Sequence, residues 1–146
     1  MGENYQGRRC IVTGAARGIG KACAAKFAEY GADVIMVDIN RGVLETSAAG
    51  IAAQYGVKGS IESCQQFMAE VHDKIGAVDV LANCAGITVA KHMIDLTPAE
   101  WERVMNINLR GIWCLSQLFA KQLKDSGKAK GNIVSISSQA SKIGES

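Results

Sequence analysis

Short continuous apolar runs alternate along this chain with longer segments in which apolar residues recur every three or four positions. The runs are Cys10-Ile11-Val12-Thr13, Val34-Ile35-Met36-Val37, Val78 to Ala82, and Ile133 to Ile136. They are rich in β-branched side chains and bounded by Gly, Asp or Asn. A strand with one wet face alternates apolar and polar residues. These runs do not, which fits parallel strands covered on both faces. The intervening segments have helical spacing. Ile19, Cys23, Phe27 and Tyr30 step along one face, as do Cys64, Phe67, Val71 and Ile75. A third helix is expected from Thr97 to Lys121. It opens on Thr97-Pro98-Ala99-Glu100, with Thr as N-cap, Pro at N1 and Glu closing a capping box. Its face runs through Trp101, Met105, Asn108, Ile112, Leu115 and Phe119.

Strand, helix and strand in this rhythm make βαβ units with right-handed crossovers. The expected class is α/β, a doubly wound parallel sheet of about five strands in one domain over residues 1–146. One unit is weak. The third strand is expected over Gly56-Val57-Lys58-Gly59-Ser60-Ile61, where two glycines interrupt it.

The first strand and helix are joined by Thr13-Gly14-Ala15-Ala16-Arg17-Gly18-Ile19-Gly20. In such a turn Gly14 permits a sharp reversal, Gly18 clears a side chain where a pyrophosphate meets the backbone, and Gly20 lets helix and strand pack closely. The helix then offers free N–H groups and a positive dipole end. A glycine-rich stretch alone is weak support, and its equally simple reading is a structural turn. Its place after a strand and before an amphipathic helix gives it weight. Asp38 ends the second strand, 18 residues after Gly20. A carboxylate there accepts hydrogen bonds from both adenosine ribose hydroxyls and repels a 2′-phosphate, favouring NAD over NADP. The plainer reading is a capping or turn Asp. Arg17 and Arg41 argue for NADP, but Asp38 holds the deciding position.

Composition removes several classes. Sixteen basic and 14 acidic residues give a net charge of +2, without a basic stripe, so nucleic acid is not an expected partner. No apolar run approaches the ~18 residues of a membrane span, and Met1 to Arg9 lacks a signal-peptide core. The five cysteines are odd in number, form no C-x-x-C and sit in apolar segments. They read as small buried hydrophobes of a reducing cytoplasm, not as disulfides or ligands. His72 and His92 lack metal-ligand spacing, so no metal is expected.

Four motifs in order make the sequence resemble the short-chain dehydrogenase/reductase family. The turn follows T-G-x-x-x-G-I-G. Asn83-Cys84-Ala85-Gly86 resembles the family's N-N-A-G, with Cys for the second Asn. Asn106-Ile107-Asn108-Leu109 resembles its mid-helix N-x-N-L. Gly131 to Ser138 resembles its fifth strand, ending in the serine. The resemblance implies a Rossmann-type fold and a nicotinamide cofactor. It implies that Thr13, Gly14, Arg17, Gly18, Ile19 and Gly20 line the pyrophosphate and nearby ribose. Asp38 would hold the adenosine ribose, and Asn83, Ala85 and Gly86 would lie beside the cofactor. Asn108 would support a water in a proton relay, and Ser138 would bond the substrate oxygen. From the residues alone, Asn108 interrupts the apolar stripe and reads equally well as a core Asn satisfied by backbone. Ser138, with Ser135, Ser137 and Ser141 around it, reads as a strand-end serine.

Two departures stand out. The Asp that commonly follows the family's third strand has no counterpart in Val57 to Ile61. The family's Tyr-x-x-x-Lys, which supplies the general acid/base, is also missing. The tyrosines are Tyr5, Tyr30 and Tyr55, none with Lys four places on, and Lys142 has no Tyr partner. The chain therefore reads as the N-terminal portion of such an enzyme, without the later strands, helices and substrate loop. Its fifth strand should be an edge, with Ile133, Val134 and Ile136 short of cover. The leading expectation is an NAD-dependent oxidoreductase acting between a secondary alcohol and a ketone. Homo-oligomers would bury the long helix, and this portion alone would be inactive. The alternatives are a non-catalytic dinucleotide-binding or oligomerisation module, and a flavodoxin-like regulator, which the Gly turn and Asn-Cys-Ala-Gly disfavour.

Overall fold

The computed structural model describes residues 4–40, 42–44, 54–56 and 61–138. Arg41, Val57 to Ser60, Ser141 and Lys142 lie outside them. Five strands form one parallel sheet: β1 (Arg9–Thr13), β2 (Asp33–Asp38), β3 (Gln54–Gly56), β4 (Val80–Asn83) and β5 (Asn132–Ser135). Their order is β3-β2-β1-β4-β5, with Arg9 opposite Asp33, Cys10 opposite Val80 and Leu81 opposite Ile133. The chain moves outward from β1 through β2 to β3, then returns to the other side of β1 for β4 and β5. That is the doubly wound arrangement expected, and the order reverses between β1 and β4.

The helices are α1 (Gly18–Glu29), α2 (Ile61–Ile75), α3 (Pro98–Met105) and α4 (Ile112–Asp125). The continuous apolarity of the strands has the cause read from the sequence, because alternate residues enter two cores. Ile11, Ile35, Val37 and Leu81 meet Phe67 and Val71 of α2 and Leu115 and Phe119 of α4. Val12, Val34, Met36 and Ala82 meet Ala24 of α1, with Cys23 and Phe27 packed at the margin. Burying side chains of this size is worth roughly 1.5–3 kcal/mol each.

Three local expectations are corrected. The third strand lies earlier, at Gln54–Gly56, paired to Met36 through Asp38, and Ile61 already begins α2. Three residues are too few to show periodicity. Ile19 does not share the buried face of α1; it is 60% exposed, at the helix mouth.

The expected helix from Thr97 to Lys121 is two α-helices joined by a π-helical segment, Asn106–Gly111. The wider turn shifts the face, so the stripe does not stay on the core. Leu115 and Phe119 are buried, but Trp101 is 54% exposed and Asn108 is exposed. The start of α3 is as read. Glu100 N donates to Thr97 Oγ1 at 3.3 Å, and Thr97 N donates to Glu100 Oε2 at 3.0 Å.

β5 is an edge of the sheet, and all four of its residues are exposed. Ile133, Val134 and Ile136 are 45%, 49% and 41% exposed. No helix among the described residues is long and apolar enough to cross a membrane. No group of three or more His, Cys, Asp or Glu among them could hold a metal. All five cysteines are free thiols, with Cys10, Cys64 and Cys114 buried and Cys23 and Cys84 half-buried.

Candidate nucleotide-binding crevice

A crevice of about 480 Å³ opens above the carboxyl ends of β1, β2 and β4. This is where the strand order reverses, the point at which open α/β sheets bind ligands. Its size is within the range of small-molecule sites. The glycine turn forms its floor. Gly14 has φ +64°, and a Cβ there would lie 2.8 Å from Ala85 Cα. A Cβ on Gly20 would lie 2.2 Å from the Gly14 carbonyl oxygen. Gly14 and Gly20 therefore let β1, α1 and the end of β4 touch backbone to backbone. Gly18 differs. It has φ +56°, and a Cβ there would meet nothing within 4 Å. It leaves the open side of the crevice bare.

Electrostatics point the same way. The first turn of α1 holds no acidic residue, and Arg17 at its N-cap gives no side-chain cap. The opening N–H groups keep their donor capacity and the positive dipole end. These residues fit a dinucleotide phosphate group.

Thr13 is only 4% exposed. Its hydroxyl oxygen accepts from Cys84 N at 3.1 Å and Ala85 N at 3.0 Å. It borders the crevice, but its hydroxyl is spent on locking β1 to the segment after β4. Asp38 closes the far wall. Its Oδ2 accepts from Ala16 N at 3.0 Å and its Oδ1 from Asn40 N at 2.9 Å. The side chain shapes the turn, as the plainer reading expects, and it also borders the crevice. Asn83 is 1% exposed, and its Nδ2 donates to Ser116 Oγ and Ser135 Oγ, each at 3.3 Å. Its Oδ1 is buried without a partner among the described residues. One acceptor at the crevice wall is left for a water or a ligand donor.

The structure gathers Thr13, Gly14, Arg17, Gly18, Ile19, Gly20, Asp38, Asn83, Ala85 and Gly86 around one crevice. Asn108 and Ser138 do not line it. Asn108 sits in the π-helical segment. Its Oδ1 accepts from Ile87 N at 2.9 Å and its Nδ2 donates to Ile87 O at 2.8 Å. The amide fixes the loop after β4 from an exposed position, not as a buried group facing the sheet. Ser138 is exposed, just beyond the end of β5. Sequence reasoning missed the apolar walls contributed by Val37, Ile39, Cys64, Cys84, Ile87, Ile107 and Leu115. A signal existed for two of them, because Cys84 and Ile107 lie inside motifs already singled out.

The sequence and the fold match those of known proteins. The family model for short chain dehydrogenase matches residues 8–146. The chain is 34% identical over 145 residues to an NAD-dependent glycerol dehydrogenase of Listeria innocua, covering 96% of this chain and 56% of that protein. It is 35% identical over 147 residues to a 3-oxoacyl-(acyl-carrier-protein) reductase of Aquifex aeolicus, covering 94% of this chain and 58% of that one. A crystal structure of a short-chain type dehydrogenase/reductase from Mycobacterium marinum superposes with a TM-score of 0.91 at 26% identity, over 97% of this chain and 60% of that one. The chain spans somewhat more than half the length of these relatives.

Proposed function

Because the chain belongs to the short chain dehydrogenases, we propose that its crevice binds NAD in preference to NADP, as the nucleotide half of an oxidoreductase acting between a secondary alcohol and a ketone. The observation that carries this reading is Asp38. Its carboxylate stands at the end of β2 beside the uncapped start of α1. There it can accept from ribose hydroxyls and repels a 2′-phosphate. The name of the Listeria relative supports NAD. Arg17 stands against it as a cation at the same mouth.

The division of labour follows from the groups present. Gly14, Gly18, Ile19 and Gly20 expose backbone to the diphosphate. Thr13 and Asn83 hold the strand ends in register beneath it. Ala85 and Gly86 border the inner part of the crevice. Bound nicotinamide supplies the acceptor or donor of the hydride. Ser138 hydrogen-bonds the substrate oxygen, and Asn108 positions a water through the loop it clamps at Ile87. The 146 residues hold no Tyr with Lys four places on. The free thiols fit a reducing, cytoplasmic setting.

A second reading is favoured by one surface. Trp101, Met105, Leu109 and Trp113 line an apolar groove along α3, the π-helical segment and α4, with Glu102 and Arg110 beside it. Two copies related by a twofold axis could set Glu102 of each against Arg110 of the other. The chain is then also an oligomerisation module that joins a full-length relative. Calorimetric titration of NAD and NADP into the chain and into Asp38→Ala tests the first reading. The expected result is tighter NAD binding, with the preference lost in the variant. Equal or tighter NADP binding by the unaltered chain would overturn it.

A further inference from the structure

The turn that opens α1 is held from outside the helix. Arg17, the N-cap, has an extended backbone and makes no side-chain cap. The two residues before it, Ala15 and Ala16, are buried. Both are gripped by the end of β2. Ala15 N donates to Val37 O at 3.1 Å, and Ala16 N donates to Asp38 Oδ2 at 3.0 Å. The carboxylate is itself aimed, because Asn40 N donates to its Oδ1 at 2.9 Å. Asn40 is anchored in turn. Its carbonyl oxygen accepts from Leu44 N at 3.0 Å and its side-chain oxygen from Val43 N at 3.3 Å. Hydrogen bonds to an ionised acceptor are stronger than neutral ones. Two residues past Ala16, Gly18 brings bare backbone to the crevice. The place of that backbone follows from where Ala16 is held.

We propose that Asp38 positions the phosphate turn as well as contacting the ribose, so that one carboxylate sets affinity at two separate parts of the ligand. The inference rests on the dinucleotide reading above and adds an effect on phosphates that Asp38 need not touch. A carboxylate has about four lone-pair sites. The N–H groups of Ala16 and Asn40 use two, which leaves the others for ribose hydroxyls, so the two roles do not compete. They differ in sign toward an anion. As a charge, Asp38 repels phosphate, and its removal would strengthen anion binding. As an anchor, it keeps the turn preorganised, and its removal weakens anion binding. Salt and water in the open crevice screen the charge. They do not replace the lost anchor, so the second effect wins.

The test uses inorganic pyrophosphate, which carries no ribose. It is titrated by phosphorus NMR into the chain, Asp38→Ala and Asp38→Asn, and amide hydrogen exchange is read on the same proteins. Asp38→Ala should bind pyrophosphate several-fold more weakly. Its Ala16 amide should exchange roughly tenfold faster, as for loss of a hydrogen bond to a charged group. Asp38→Asn keeps an acceptor oxygen for one of the two N–H groups and should fall between. It carries the test should the alanine variant not fold. Pyrophosphate binding by the folded variants as tight as that of the unaltered chain, or tighter, would overturn the proposal. So would unchanged exchange at Ala16, or no pyrophosphate binding by the unaltered chain. Tighter binding of NADP than of NAD overturns only the cofactor preference and leaves both of these comparisons standing.

Discussion

The two sides of the sheet are built to different degrees of completion. Around β1 and β2, residues Cys10 to Thr13 and Val34 to Val37 are all buried, and glycine contacts and the Thr13 hydroxyl tie the strand ends together. At β5 every residue is exposed, and Ser138 follows from that open edge. The difference teaches that the proposed nucleotide site and the proposed substrate serine sit in separable parts of this architecture. The first needs only backbone brought close at one turn and a carboxylate on the next strand. Ser138, the proposed substrate contact, lies on the exposed side.

The comparison breaks most sharply at the glycine turn. Gly20→Ala puts a methyl group into the Gly14 carbonyl, where only backbone could yield. The expected loss is about 1–3 kcal/mol of stability from overpacking, read by urea unfolding, together with loss of NAD binding. Gly18→Ala should keep the packing, since its Cβ meets nothing. It carries only the strain of a positive φ, and its affinity for NAD should fall more than its stability.

Thr13→Val comes next. It keeps the shape but leaves Cys84 N and Ala85 N without their acceptor, at about 1–3 kcal/mol for a buried unsatisfied group. Hydrogen exchange should accelerate at those two amides first. Ile133→Lys on β5 should change stability by no more than about 0.5 kcal/mol, as for a surface site, yet reduce self-association in sedimentation velocity. A large stability loss there would mean that the edge is not open.

The smallest effect expected is at the α3 N-cap. Glu100 is drawn down to about 2, first by the Lys91 ammonium and then by Thr97. Its folded value lies below the ordinary one, so its contribution is full at neutral pH. The contribution fades as pH falls below the ordinary glutamate value and is lost through about 2. Amide exchange at Glu100 followed through an acid titration reads this directly.

Most of the crevice was legible because its requirements are steric and local. Only glycine tolerates the backbone of Gly14 and the contact at Gly20, so the spacing of the glycines records the geometry. Asp38 was legible by its place at a strand end. The third strand was misplaced because Gln54–Gly56 is too short to carry a period. The π-helical segment was missed although Asn106, Asn108 and Gly111 are poor helix formers, because its wider turn alters only the register. The stripe drawn through Asn108 therefore led to the wrong side of the helix. Gln122, which grips Val78 through both N–H and C=O at 3.0 and 2.9 Å, could have been found by extending that stripe one step past Phe119.

An amide-resolved NMR titration with NAD tests directly whether this half of the molecule binds a dinucleotide by itself. The predicted result is saturable shifts at Gly14, Gly18, Ile19, Gly20, Asp38, Ala85 and Gly86, with Trp101, Leu109 and Trp113 unmoved. Shifts confined to the α3–α4 groove, or none at all in a folded chain, would contradict it.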